Sequence, residues 1–244
     1  MSNLVFFRAF HQFGRGDWDE AARTVDDYVR SVGLEVEGFQ ALIAWIALGR
    51  QGPGAALPLY LAGAERAIRR QEGQNVVWFF AFAAWACAVA GDESAASGWL
   101  DRLRARVSED GAVREFLGRG AGAPQLLLTA LLLGQDGWPE MVESVVGERT
   151  DDDAEQRRGW ARIVRALSRD ETPAATDVEG VYDRAARQSY EAIAMASVIV
   201  AAKEARRRGI ALGPEWMGVL ARARAFAQRA KASWWLQELD QLGA

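Results

Sequence analysis

Three short stretches decide how the chain is read: Gly16-Asp17-Trp18-Asp19-Glu20-Ala21, Gly52-Pro53-Gly54-Ala55-Ala56-Leu57 and Gly91-Asp92-Glu93-Ser94-Ala95-Ala96. Aligned on the first glycine of each, they recur after 36 residues (16 to 52) and then 39 (52 to 91). Nine positions past each glycine stands an apolar residue, Val25, Leu61 and Leu100, and twelve past stands Tyr28, Ala64 or Leu103. A fainter fourth copy, Trp138-Pro139-Glu140-Met141, aligns with Trp18-Asp19-Glu20-Ala21 and puts Val145 where Val25 stands. A period of this length marks a chain built from stacked supersecondary units.

Around these turns nearly everything reads as helix. Ala, Leu, Arg and Glu dominate, and the alternating β-branched pattern of strands is absent. Glycines close successive segments as C-caps do. The pattern predicts helices over 3–13, 17–32, 37–48, 54–70, 75–90 and 92–107, with Gly33 ending the second and Pro58 tolerated in the first turn of the fourth. Residues 108–123, with Gly111, Gly118, Gly120 and Gly122, read as a short helix and a loop. Helices are then expected over 124–133 and 138–148. The next starts from a cap at Asp152 or Asp153 and runs through Trp160, Ile163, Val164 and Leu167 on one face. A long helix over 178–208 carries the stripe Tyr182, Ala186, Tyr190, Ile193, Ser197 and Val200, and helices over 214–231 and 233–242 finish the chain.

Gly16 to Ala21 resembles the Gly-Asp-Tyr-Asp-Glu-Ala-like turn inside a tetratricopeptide repeat, with Trp in place of Tyr, and Gly91 to Ala96 is similar to it. The Gly52 and Trp138 copies match less well. Gly33 and Ser108 stand where the family closes its unit with proline, and Val5, Ala41, Phe80 and Gln125 keep the large residue of the first helix only in part. The resemblance covers residues 1–148. It implies an all-α fold of stacked antiparallel helix hairpins, an α-solenoid, with residues 149–244 continuing or capping the stack. One hairpin cannot bury its apolar face alone; stacking buries a continuous core and curves into a concave surface. In the family the first helix of each pair lines that surface.

Carried over, the register gives Phe6 and Phe10, then Phe39, Leu42 and Ile46, then Trp78 and Trp85 as partner-binding residues. Phe82 lies between the two tryptophans. An aromatic groove of this kind suits an apolar helix or loop of a protein partner. The implied function is that of a non-enzymatic interaction protein, an adaptor, scaffold, chaperone or inhibitor, working without a cofactor. The competing reading is that these residues fill a core, because the unbroken apolar run Val76–Ala90 is apolar all round.

Composition narrows the chemistry. The 244 residues hold ten Trp but one His and one Cys. His11 has no His or Cys at helical spacing, so no metal-ligand set is expected, and Cys87 excludes a disulfide framework. A lone Cys inside an apolar run, with no secretory signal at Met1–Val5, points to a reduced cytoplasm. The Val76–Ala90 run is shorter than the roughly 20 residues of a membrane span. No strand-borne phosphate loop and no nucleophile elbow occur. Asp26-Asp27 and Asp151-Asp152-Asp153 lack the second acidic motif that a two-site metal enzyme needs, and the triplet reads as a helix cap.

The formal net charge of −4 argues against general nucleic-acid binding. One stretch, 203–231, is nonetheless basic, and Arg206, Arg207, Arg208, Arg222 and Arg229 are its candidate contacts to nucleic acid or an acidic partner. A third alternative is an all-α domain that encloses a small apolar ligand, or acts on one.

Overall fold

The computed structural model describes residues 2–32, 37–70, 73–119 and 122–243. The stop expected at Gly33 and the loop residue Gly120 lie outside them. Fourteen helices and no strand occur among the described residues. They are α1 (Ser2–Gly14), α2 (Trp18–Val32), α3 (Glu37–Gln51), α4 (Pro53–Arg70), α5 (Gly73–Val89), α6 (Glu93–Glu109) and α7 (Gly111–Arg119). The second half holds α8 (Ala123–Leu132), α9 (Trp138–Val146), α10 (Asp152–Ser168), α11 (Ala175–Arg187), α12 (Glu191–Arg207), α13 (Pro214–Ala230) and α14 (Ser233–Gln241).

The repeated glycines share one backbone conformation. Gly16, Gly52 and Gly91 have φ of +86°, +87° and +82°, which a side chain would strain. After the first and third, the following N–H reaches the carbonyl five residues back, Asp17 to Gln12 and Asp92 to Cys87, both at 2.9 Å. This closure gives donors to carbonyls that a helix end otherwise leaves unpaired. Asp92 then caps α6 by accepting from the Ala95 N–H. The second copy keeps the glycine but has no spacer, because α4 starts directly at Pro53. Pro58 therefore lies beyond the first turn expected for it, on the exposed face of α4.

Two other boundaries differ from expectation. The cap of α10 is Asp151, not Asp152 or Asp153; its carboxylate accepts from the Ala154 N–H at 2.9 Å. That bond and the Arg149 side chain hold the carboxyl below the usual carboxylate range. The expected long helix over 178–208 is two helices, α11 and α12, broken at Ser189 with φ +62°. Neither Gly nor Pro announces this break. The Tyr190 N–H reaches the Ala185 carbonyl at 2.8 Å, the same closure as in the glycine turns. A Cβ on Gly14 would lie 2.3 Å from the Ser189 carbonyl oxygen, so the end of α1 sits directly on the break.

Neighbouring helices pack in sequence: α1 on α2, α3 on α4, α4 on α5, α5 on α6, and later α9 on α10, α10 on α11, α11 on α12 and α12 on α13. Four helices form an inner layer. α5, α8 and α12 are buried over most of their length, and α3 over most of its described residues. Their apolar side chains run all round the helix, so burial on every side is the only arrangement that removes them from water. α3 touches α5, α5 touches α8, α8 touches α12, α12 touches α14 and α14 touches α3. The inner layer thus closes into a circuit, and its core runs without interruption across residue 148.

Closure brings the two ends of the chain together. The Trp18 ring stacks on Phe13 with centroids 5.5 Å apart and meets Phe226 of α13 edge-on at 6.3 Å. Its indole N–H donates to the Phe13 carbonyl. Ser233 donates to the Arg50 carbonyl, and Asp19 accepts from both Arg50 and Lys231 at 2.7 Å. These two cations hold the Asp19 carboxyl below the usual carboxylate range, the Lys231 hydrogen bond most of all.

Candidate functional site

The seven residues predicted to line an open groove divide into two sets. Phe39, Leu42, Ile46 and Trp85 are buried, Trp85 completely. Trp85 stacks on Trp235 of α14 with centroids 5.8 Å apart. The C-terminal helix packs on α3 and its Trp235 covers Trp85 of α5, so these positions present no open aromatic surface. Phe6, Phe10 and Trp78 are half-buried.

Phe6, Phe10, Leu42 and Trp78 come together with Phe13, Trp45, Phe82 and Ile193 in a narrow cleft between α1, α3, α5 and α12. Its free space is about 20 Å³, on the scale of one water molecule. Its walls are rings: Phe6 lies 5.9 Å from Phe10 and 5.8 Å from Phe39, Trp45 lies 5.2 Å from both Phe82 and Trp85, and Trp78 lies 6.3 Å from Phe82. The indole nitrogens of Trp45 and Trp78 are buried without a hydrogen-bond partner among the described residues. Sequence reasoning missed Phe13, Trp45 and Ile193. Trp45 lies three residues past Leu42 on the same helix face, which was a usable signal; Ile193 arrives from α12 and has none.

Four large apolar side chains stand exposed among the described residues: Leu4, Phe7, Val32 and Met217. Two of them, Leu4 and Phe7, stand three residues apart on α1 and share one face of it. Thr24 of α2 donates to Gln12 of α1. Phe7, 65% exposed, lies nearly one turn from Leu4, 77% exposed. α1 carries no acidic residue, and Arg8 and His11 are exposed beside this face.

The basic residues of 203–231 are engaged within the chain. Arg207 and Arg208 both donate to Glu204, a carboxylate 1% exposed, and Arg208 also reaches Asp170. Arg206 donates to the Gln241 carbonyl. Arg222 pairs with Asp183 and lies over the Tyr182 ring; Arg229 lies over Phe226, 3.5 Å from Glu191. What the sequence shows as a basic run is thus a set of internal ties.

No group of three His, Cys, Asp or Glu side chains able to hold a metal occurs among the described residues. Burial, with the Asp92 charge nearby, pushes the Cys87 thiol up to about 11, so at neutral pH it stays a protonated, core-filling group. His11 is exposed, 3.4 Å from the Ser189 hydroxyl. No helix among the described residues is long and apolar enough to cross a membrane. Comparison of the chain with protein-family profiles, curated proteins and solved structures finds no match.

Proposed function

We propose that the protein is a non-enzymatic interaction module of the stacked-hairpin, tetratricopeptide-like kind, and that it receives an amphipathic helix of a partner protein on the exposed face of its first helix. One observation carries the reading: Leu4 and Phe7, large apolar residues three apart on α1, are 77% and 65% exposed. Clustered exposed apolar side chains mark interaction surfaces far better than scattered ones. The acid-free face of α1 with Arg8 and His11 suits a partner helix whose apolar stripe is flanked by Asp or Glu. This reading moves the contact from the groove expected of the repeat register to the exposed face of α1.

The test compares Leu4→Ser/Phe7→Ser with Met217→Ser as bait in native extract. Substitutions at such exposed sites change folding stability by less than about 0.5 kcal/mol, so both variants fold. Proteins held by the wild type and by Met217→Ser, but lost by the double variant, support the reading. Equal retention by all three baits sinks it.

A further inference from the structure

We propose that the aromatic cleft between α1, α3, α5 and α12 binds a small neutral aromatic molecule carrying one hydrogen-bond acceptor, such as a ketone or amide carbonyl. The proposal is independent of the interaction surface above, whose residues Leu4 and Phe7 do not line the cleft.

Three features define the ligand. The lining holds no charged group, so an ion would be buried without a counter-charge, at a cost that excludes it. Trp45 is 3% exposed, and its indole N–H and that of Trp78 are buried without an acceptor among the described residues. An unpaired buried donor keeps its full desolvation penalty, which an arriving acceptor removes. The walls are ring faces and edges, which pack a planar aromatic guest best.

The cleft as it stands has room for about one water, and the reason is Phe6. Its half-buried ring seats over Gly38, where a Cβ would come within 2.6 Å of the ring. Phe6 thereby fills the mouth with one phenyl group. A guest ring of similar size takes that place when Phe6 turns outward. Phe6 is the lid, Gly38 is the seat that only a residue without Cβ provides, and the two indoles are the recognition donors.

Indole N–H resonances of uniformly 15N-labelled full chain read the test, with Trp45→Phe and Trp78→Phe assigning the two signals. The probes are acetophenone and its isostere ethylbenzene, which lacks the carbonyl. Acetophenone is expected to shift both signals saturably, and ethylbenzene to bind about 3- to 10-fold more weakly, the worth of one hydrogen bond. Phe6→Ala removes the lid and Gly38→Ala displaces it; either tightens acetophenone binding, and the same spectrum reports whether each variant is folded. Leu4→Ser/Phe7→Ser leaves acetophenone affinity unchanged, which separates this site from the partner surface. Absence of a saturable shift at both indoles, in the wild type and in a folded lid variant, overturns the proposal. Equal affinity for the two probes overturns the role of the indole donors.

Discussion

The indole of Trp85 on α5 lies against that of Trp235 on α14, with ring planes 25° apart and both side chains fully buried. The residues are 150 positions apart in sequence (85 to 235), and the contact seals the inner layer. It turns a face that stacked hairpins would leave open into core.

Truncating this contact tests the closure directly. Trp235→Ala is expected to cost about 3–5 kcal/mol, the usual range for emptying a buried tryptophan site. Trp235→Phe keeps most of the ring volume and drops an indole N–H that has no partner, so its cost falls below about 1.5 kcal/mol. Urea unfolding of both variants measures the pair. Equal costs would mean that packing against Trp85 does not hold α14 in place.

The clasp at Asp19 has a defined pH signature. Arg50 and Lys231 hold its carboxyl below the ordinary value of 3.8 in the folded chain. A depressed folded pKa stabilises above the unfolded value, and the gain disappears as pH falls through the folded value. Asp19→Asn is therefore expected to lower stability at pH 7, by less than about 1 kcal/mol because the pair is exposed. The difference from wild type should vanish under acid below the ordinary carboxylate range, and should shrink in high salt at pH 7. Urea midpoints across pH at two salt concentrations check both; a difference that persists at the acid end refutes the clasp.

Ser189 is a non-glycine residue in left-handed backbone. Holding an L side chain there costs about 1–2 kcal/mol, and glycine loses about 0.5–1 kcal/mol of that gain to its freer unfolded chain. Ser189→Gly is expected to stabilise by up to about 1 kcal/mol, while a β-branched Ser189→Val destabilises. Thermal unfolding of the two variants decides. A loss of stability in Ser189→Gly would show that the hydroxyl, near His11, contributes more than the backbone costs.

Gly63→Ala separates propensity from packing. In a bare helix alanine is favoured over glycine by about 1 kcal/mol. Here a Cβ would fall 2.1 Å from the buried Phe79 ring, so α4 and α5 must move apart. Overpacking of this kind costs typically about 1–3 kcal/mol and reverses the sign. A stabilised Gly63→Ala chain, read by urea midpoint, would mean that α4 and α5 are less closely apposed than the structure has them.

Much of the helix pattern is legible from local chemistry. Gly16 and Gly91 announce their turns because only glycine enters left-handed backbone cheaply, and Asp92 announces a cap because its carboxylate reaches N–H groups one turn on. The break at Ser189 is illegible for the converse reason. The serine takes left-handed backbone with no local glycine or proline to mark it, and the element packed on it is the end of α1, 175 residues earlier (14 to 189). The cleft was legible in part: Phe6, Phe10, Leu42 and Trp78 share the face assigned to them, but Ile193 comes from a helix that no repeat register places beside them.

By itself the sequence determined that the chain is helical, where most helices stop, and that α5 has too much apolar surface to face water. Periodicity and turn chemistry act within a few residues, so they can be read along the chain. The tertiary structure alone decided what covers that surface. A helix that is apolar all round demands burial but is indifferent to its partner, and the choice of α14 over an open groove depends on how the circuit of helices closes. The same closure left Leu4 and Phe7 outside it, exposed on one face of α1.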